Sequence, residues 1–167
     1  MHGPPASALI VPVPVAEPLI APWRTSYDPS ANQGVPAHVT LLYPFVEPDL
    51  IDASVLERID QIAAVTKPFR FRLNRTERYP ALLVLPPEPA TGFVELRERL
   101  LTAWPEIVPY GGRYGDRPPP HVTVAWSELH KPGGCPDFAP LEAALAAELP
   151  IGGGATEMTL LVRREDR

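Results

Sequence analysis

Apolar and polar positions along the chain change their period several times. The run "ALIVPVPV" from Ala8 to Val15 is apolar and β-branched, which predicts a strand ended by Pro12 and Pro14. Leu19, Trp23 and Tyr27 recur every four residues and predict a short helix in spite of Pro22. "HVTLLYPF" from His38 predicts a second strand. Ile51, Val55, Ile59 and Ile62 then form one helical stripe, introduced by Pro48-Asp49 and stopped before Pro68. In "FRFRL" the alternation is strict, so Phe69, Phe71 and Leu73 share one face of a strand and Arg70 and Arg72 the other.

The same order then returns. "ALLVL" from Ala81 to Leu85 predicts a strand, and Phe93, Leu96, Leu100 and Trp104 a helix with Thr91 as its N-cap. A loop, "PEIVPYGGRYGDRPPP", leads to the strand "HVTVAW". Phe138, Leu141, Leu145 and Leu149 make another helical stripe, and "TEMTLLV" from Thr156 to Val162 closes the series as a strand. The pattern predicts an α+β fold with internal duplication, its halves at about 8–79 and 81–164 of one domain spanning 1–167. Two pseudo-symmetric lobes are expected, each a small antiparallel or mixed sheet backed by helices, with a cleft between them.

Each half carries the same phrase in its middle strand. "PAHVTL" contains His38 and Thr40, and "PPHVTV" contains His121 and Thr123. Side chains alternate across a strand, so His and Thr share one face while Val39 and Leu41, or Val122 and Val124, take the other. Related by a pseudo-twofold axis, the two histidines would face each other. Such a pair suits phosphodiester cleavage, because one imidazole can take a proton while the other gives one. The threonine hydroxyls can donate to the non-bridging phosphate oxygens, where charge builds up.

Competing chemistries fit less well. A hydrolytic zinc site usually needs three protein ligands, and neither phrase has a third His or a carboxylate at ligand spacing; Glu47 and Glu128 lie past the strand ends. Cys135, the only cysteine, sits in the turn "KPGGCPD" without a base beside it and is read as a bystander thiol. A lone cysteine allows no intrachain disulfide, which fits a reducing interior.

Charge narrows the partner. A formal net charge of −5 argues against gripping long nucleic acid, which needs clustered Lys and Arg. A small anionic ligand stays open. No Lys or Arg precedes Arg24 and prolines break the first apolar run, so neither a signal peptide nor a membrane span is expected. The reading is a cytoplasmic monomer. The 24 prolines, as in "LPPEP" and "RPPPH", punctuate loops.

From "ALIVPVP" through "GVPAHVTLLYPF" to "PHVTVA", most of the chain resembles the 2H phosphoesterase superfamily, and within it the bacterial 2′-5′ RNA ligase family proteins. The resemblance implies a two-lobed duplicated fold with a central cleft. It implies that His38 and His121 act as acid and base and that Thr40 and Thr123 hold the phosphate. The substrates implied are 2′,3′-cyclic or 1″,2″-cyclic phosphodiesters, or 2′-5′ linkages in RNA, without a cofactor. Ligase members often carry a basic residue shortly after the second motif; here "AWSE" places Trp126 and Glu128 there.

Outside the two phrases, Arg113 and Arg117 flank a glycine-containing loop that could close over a phosphate, and Tyr79 and Tyr43 could stack a base. The leading expectation is metal-independent hydrolysis of a small cyclic nucleotide or RNA terminus. The alternatives are a non-catalytic module binding a nucleotide or RNA end, and 2′-5′ RNA ligation.

Overall fold

The computed structural model describes residues 6–126 and 137–163. The first predicted strand is β1, Ala6–Pro12, and the helix after it, α1, spans Glu17–Tyr27 with Pro22 inside. Then come β2, His38–Leu42, and α2, Ala53–Val65. The side chain of Asp52 caps α2 by accepting from the backbone N–H of Ser54 and Val55, so Pro48-Asp49 only opens a preceding 3-10 turn. "FRFRL" is β3, Phe69–Leu73, with Arg70 and Arg72 turned to solvent.

Three short strands follow: β4, Glu77–Tyr79; β5, Leu82–Leu85; and β6, Pro87–Glu88. Helix α3 spans Thr91–Ala103, and Ala90, not Thr91, is its N-cap, with no side-chain bond there. The second His-Val-Thr strand is β7, Val122–Trp126. The chain ends in α4, Ala139–Ala146; β8, Ile151–Ala155; and β9, Thr159–Arg163. Among the described residues no helix is long and apolar enough to cross a membrane.

The result is an α+β fold with two antiparallel sheets. Six strands run in the order β4-β5-β7-β2-β1-β9, and three in the order β6-β3-β8. The larger sheet reads the same from either end, with β2 matching β7, β1 matching β5 and β9 matching β4. Its outer strands are exchanged: β4 leaves the first half to pair with β5, and β9 leaves the second to pair with β1. The helices cross over too, α1 packing against β7 and α3 against β2. Both halves therefore contribute to both ends of the sheet.

Duplication reaches into the strand register. Between Leu9 and Ile10 the β1–β2 pairing slips past Leu41, and between Leu83 and Val84 the β5–β7 pairing slips past Val124. Each slip sits one residue beyond the threonine. A bulge there turns the following apolar pair inward, so Leu41 and Leu42, and Val124 and Ala125, are consecutive buried residues.

One strand escapes the hydrophobic pattern. The segment "IGGGA" of β8 has almost no side chains to show a period, yet it pairs along the whole of β3, with Gly153 opposite Phe71. A Cβ on Gly153 would lie 2.6 Å from the Phe71 ring. That ring is buried and packed edge-on against Phe93 at 5.1 Å, so it has little room to move. Gly153→Ala is expected to destabilise the fold by about 1–3 kcal/mol in urea unfolding, with much of the loss relieved by adding Phe71→Leu. An unchanged midpoint for Gly153→Ala would contradict this account of β8.

Candidate active site

The two His-Val-Thr strands meet at one place, the antiparallel pair Val39 and Val122. Counting outward from it sets His38 across from Thr123 and Thr40 across from His121. Directly opposed residues of an antiparallel pair point to the same face, so all four side chains rise from one face of the sheet. Val39 and Val122 are fully buried on the other. The four polar side chains are half-buried.

Both imidazoles are held alike. Nδ1 of His38 lies 2.7 Å from the carbonyl oxygen of Pro36, and Nδ1 of His121 lies 2.8 Å from that of Pro119. A carbonyl can only accept, so each Nδ1 carries the proton and donates. Nε2 of the neutral ring is then the free, basic nitrogen in both halves. The proline before each His-Val-Thr phrase thus supplies the oxygen that sets the tautomer.

Burial lowers the pKa of both histidines from 6.5. For His38 the proline carbonyl and Asp28 work against this, while the charges of Arg24 and His121 add to it. For His121 the opposing influences are the Pro119 carbonyl and Glu77. The Tyr79 ring stands 6.4 Å from the His121 ring, centroid to centroid, which brings this predicted residue to the site.

Tyr110 and Glu77 were not foreseen. Tyr110 shares a side-chain hydrogen bond with Thr40, and burial raises its pKa, which keeps its hydroxyl protonated. Its backbone is left-handed at φ 54°, a region that favours glycine, and its N–H donates to the Tyr43 carbonyl at 2.6 Å. The flanking Gly111 and Gly112 are the sequence signal that the loop turns sharply here; nothing in the sequence says toward which strand.

A family model described as the 2′-5′ RNA ligase superfamily matches residues 11–167. The chain belongs to that superfamily. Its members are phosphoesterases and ligases, and the chain is an enzyme-family member on that ground. Escherichia coli LigT complexed with NADP+ is 18% identical over 98% of this chain and 90% of that one, with a TM-score of 0.56. LigT complexed with 3′-AMP gives 19% over 99% and 91%, at 0.55. TT0787 of Thermus thermophilus gives 22% over 93% and 86%, at 0.59. At such identities the likeness is one of fold. Comparison with the curated proteins finds no match.

The remaining expected binding residues of this superfamily member divide. Arg117 is exposed and paired with Glu98 at 2.8 Å, and the Arg113 guanidinium lies over the Tyr114 ring at 5.6 Å. Tyr43 packs its ring against Tyr110 at 6.1 Å, and Tyr110 packs against Tyr114 at 5.4 Å. An aromatic row therefore leads from Thr40 to the surface, where Tyr43 and Tyr114 are exposed. Among the described residues no three His, Cys, Asp or Glu side chains gather as metal ligands would. Glu128 and Cys135 lie outside the described residues.

Proposed function

We propose that the protein is a metal-independent phosphoesterase that opens a cyclic phosphodiester, such as a 2′,3′-cyclic nucleotide or RNA terminus, with His38 and His121 as the acid–base pair. The observation that carries this reading is the shared tautomer. Two free Nε2 atoms on one sheet face can move both protons that hydrolysis requires. One neutral imidazole accepts a proton from water as the water oxygen bonds to phosphorus. The other, protonated, delivers its proton to the ribose oxygen as the P–O bond breaks. Thr40 and Thr123 donate to the non-bridging oxygens, and Tyr110, hydrogen-bonded to Thr40, holds that hydroxyl in place.

The tyrosines supply what a nucleobase needs, Tyr43, Tyr110 and Tyr114 beyond Thr40 and Tyr79 beside His121. That LigT has been crystallised with nucleotides supports a ligand of this size. So does the net charge of −5, which disfavours a long polyanion.

Release of the ring-opened monophosphate from 2′,3′-cyclic AMP in EDTA tests the reading. Because one histidine must be charged and the other neutral, kcat/KM should be bell-shaped in pH. Both pKa values are lowered, so its maximum should fall on the acid side of 6.5. An optimum well above neutrality, or bound but unaltered nucleotide, would overturn it. Stability carries a matching signature. A histidine whose folded pKa is depressed contributes stability above its unfolded value of about 6.5, which is lost as pH falls toward the folded one.

A further inference from the structure

Each half of the molecule buries one arginine in its first helix. Arg24 lies in α1, after β1, and is 2% exposed; Arg97 lies in α3, after β5, and is 4% exposed. The strands β1 and β5 are matched by their identical slips against β2 and β7. The two guanidiniums do the same thing. Nη2 of Arg24 donates to the carbonyl of Val35 at 3.0 Å, and Nη1 of Arg97 donates to the carbonyl of Pro118. Val35 and Pro118 each stand three residues ahead of a histidine, and the next carbonyl along, that of Pro36 or Pro119, receives Nδ1–H.

We propose that Arg24 and Arg97 are a duplicated pair of positioning residues, each clamping the peptide next to the one that holds its own half's imidazole. The role rests on the phosphoesterase reading for its catalytic consequence, though not for its geometry. A guanidinium is a costly way to tie down a loop, since taking a cation out of water is heavily penalised. Arg24 is offset by Asp28 at 3.0 Å and Glu17 at 3.4 Å. For Arg97 no carboxylate is in ion-pair contact among the described residues, and its buried Nε has no hydrogen-bond partner. A buried arginine kept at both matched positions, with such different surroundings, points to what they share: the carbonyl ahead of the histidine.

The mechanical argument is short. Carbonyls three and two residues ahead of the histidine belong to adjoining peptides, so an arginine that fixes the first limits how the second can turn. The second oxygen fixes the ring. A displacement of about 1 Å at a reacting group can cost on the order of 10²-fold in rate. Because each arginine serves one half, the effects should be separable.

Arg97→Met keeps the apolar stem and removes every donor, while Arg97→Lys keeps one. With 2′,3′-cyclic AMP as substrate, Arg97→Met should lose about 10-fold or more in kcat with KM within about threefold, and Arg97→Lys should recover part of the loss. In ¹⁵N-histidine spectra, assigned with His38→Asn and His121→Asn, Arg97→Met should shift the His121 ring signals and speed exchange of its Nδ1 proton, leaving His38 unmoved. Arg24→Met should show the mirror pattern, and Arg24→Lys a weaker one. Unmoved His121 signals in folded Arg97→Met, or equal disturbance of both rings, would overturn the proposal. The spectra need no substrate: a shift confined to His121 in a protein that turns over no cyclic nucleotide would uphold the clamp and sink the phosphoesterase reading instead.

Discussion

His38→Ala and His121→Ala are each expected to lower kcat for 2′,3′-cyclic nucleotides by about 10²–10⁴-fold, the usual worth of a positioned acid or base. Neither change should unfold the protein. The strands beneath are anchored by Val39 and Val122, which are fully buried, and the imidazoles above them are only half-buried. The double variant should be scarcely worse than either single one, because an acid and a base that act in one step fail together. Steady-state rates on the three variants in EDTA make the measurement. Full activity in both single variants would remove the histidines from the chemistry.

The second large effect is expected at the hydroxyls. Thr40→Val and Thr123→Val keep shape and β-branching while removing the donor, and each should cost about 10²–10³-fold in kcat, as loss of a preorganised donor to developing charge does elsewhere. The two should differ in one respect. Thr40 is hydrogen-bonded to Tyr110, so Tyr110→Phe should reproduce part of the Thr40→Val loss. Combined with Thr40→Val it should add little, while combined with Thr123→Val it should add its full effect. A rise in KM with kcat unchanged in both threonine variants would mean that the hydroxyls only bind the ground state.

These expectations depend on features that were legible to different degrees. The face shared by His38 and Thr40, and by His121 and Thr123, follows from strand alternation alone. The helical stripes at Ile59, Leu96 and Leu100, and Leu141 and Leu145, predicted side chains that are buried in the core. β8 was invisible because three glycines carry no hydrophobic period; its place depends on the Phe71 ring opposite, a partner remote in sequence. The N-cap of α3 was misplaced because a threonine suited to the position stands one residue inside it.

Among the candidate binding residues, alternation and spacing could not rank the loop arginines against the tyrosines. Arg117, a candidate for the phosphate, is paired with Glu98, whereas Tyr110, embedded in the same loop, reaches Thr40. In the sequence the prolines before each histidine show only as part of the repeated phrase and as loop punctuation. Their carbonyls turned out to set the ring tautomers, because a strand entering from that direction puts the oxygen within reach of Nδ1.

The sequence by itself determined what is local: which residues share a strand face, which form a helical stripe, and that one phrase occurs twice. Only the tertiary structure decided that the two phrases pair at Val39 and Val122, that the outer strands are exchanged, and that buried Arg24 and Arg97 reach matching carbonyls. The division is physical. A period of two or 3.6 residues records how each segment meets its own surroundings, but which segments meet depends on contacts between positions far apart in the chain, and those leave no period behind.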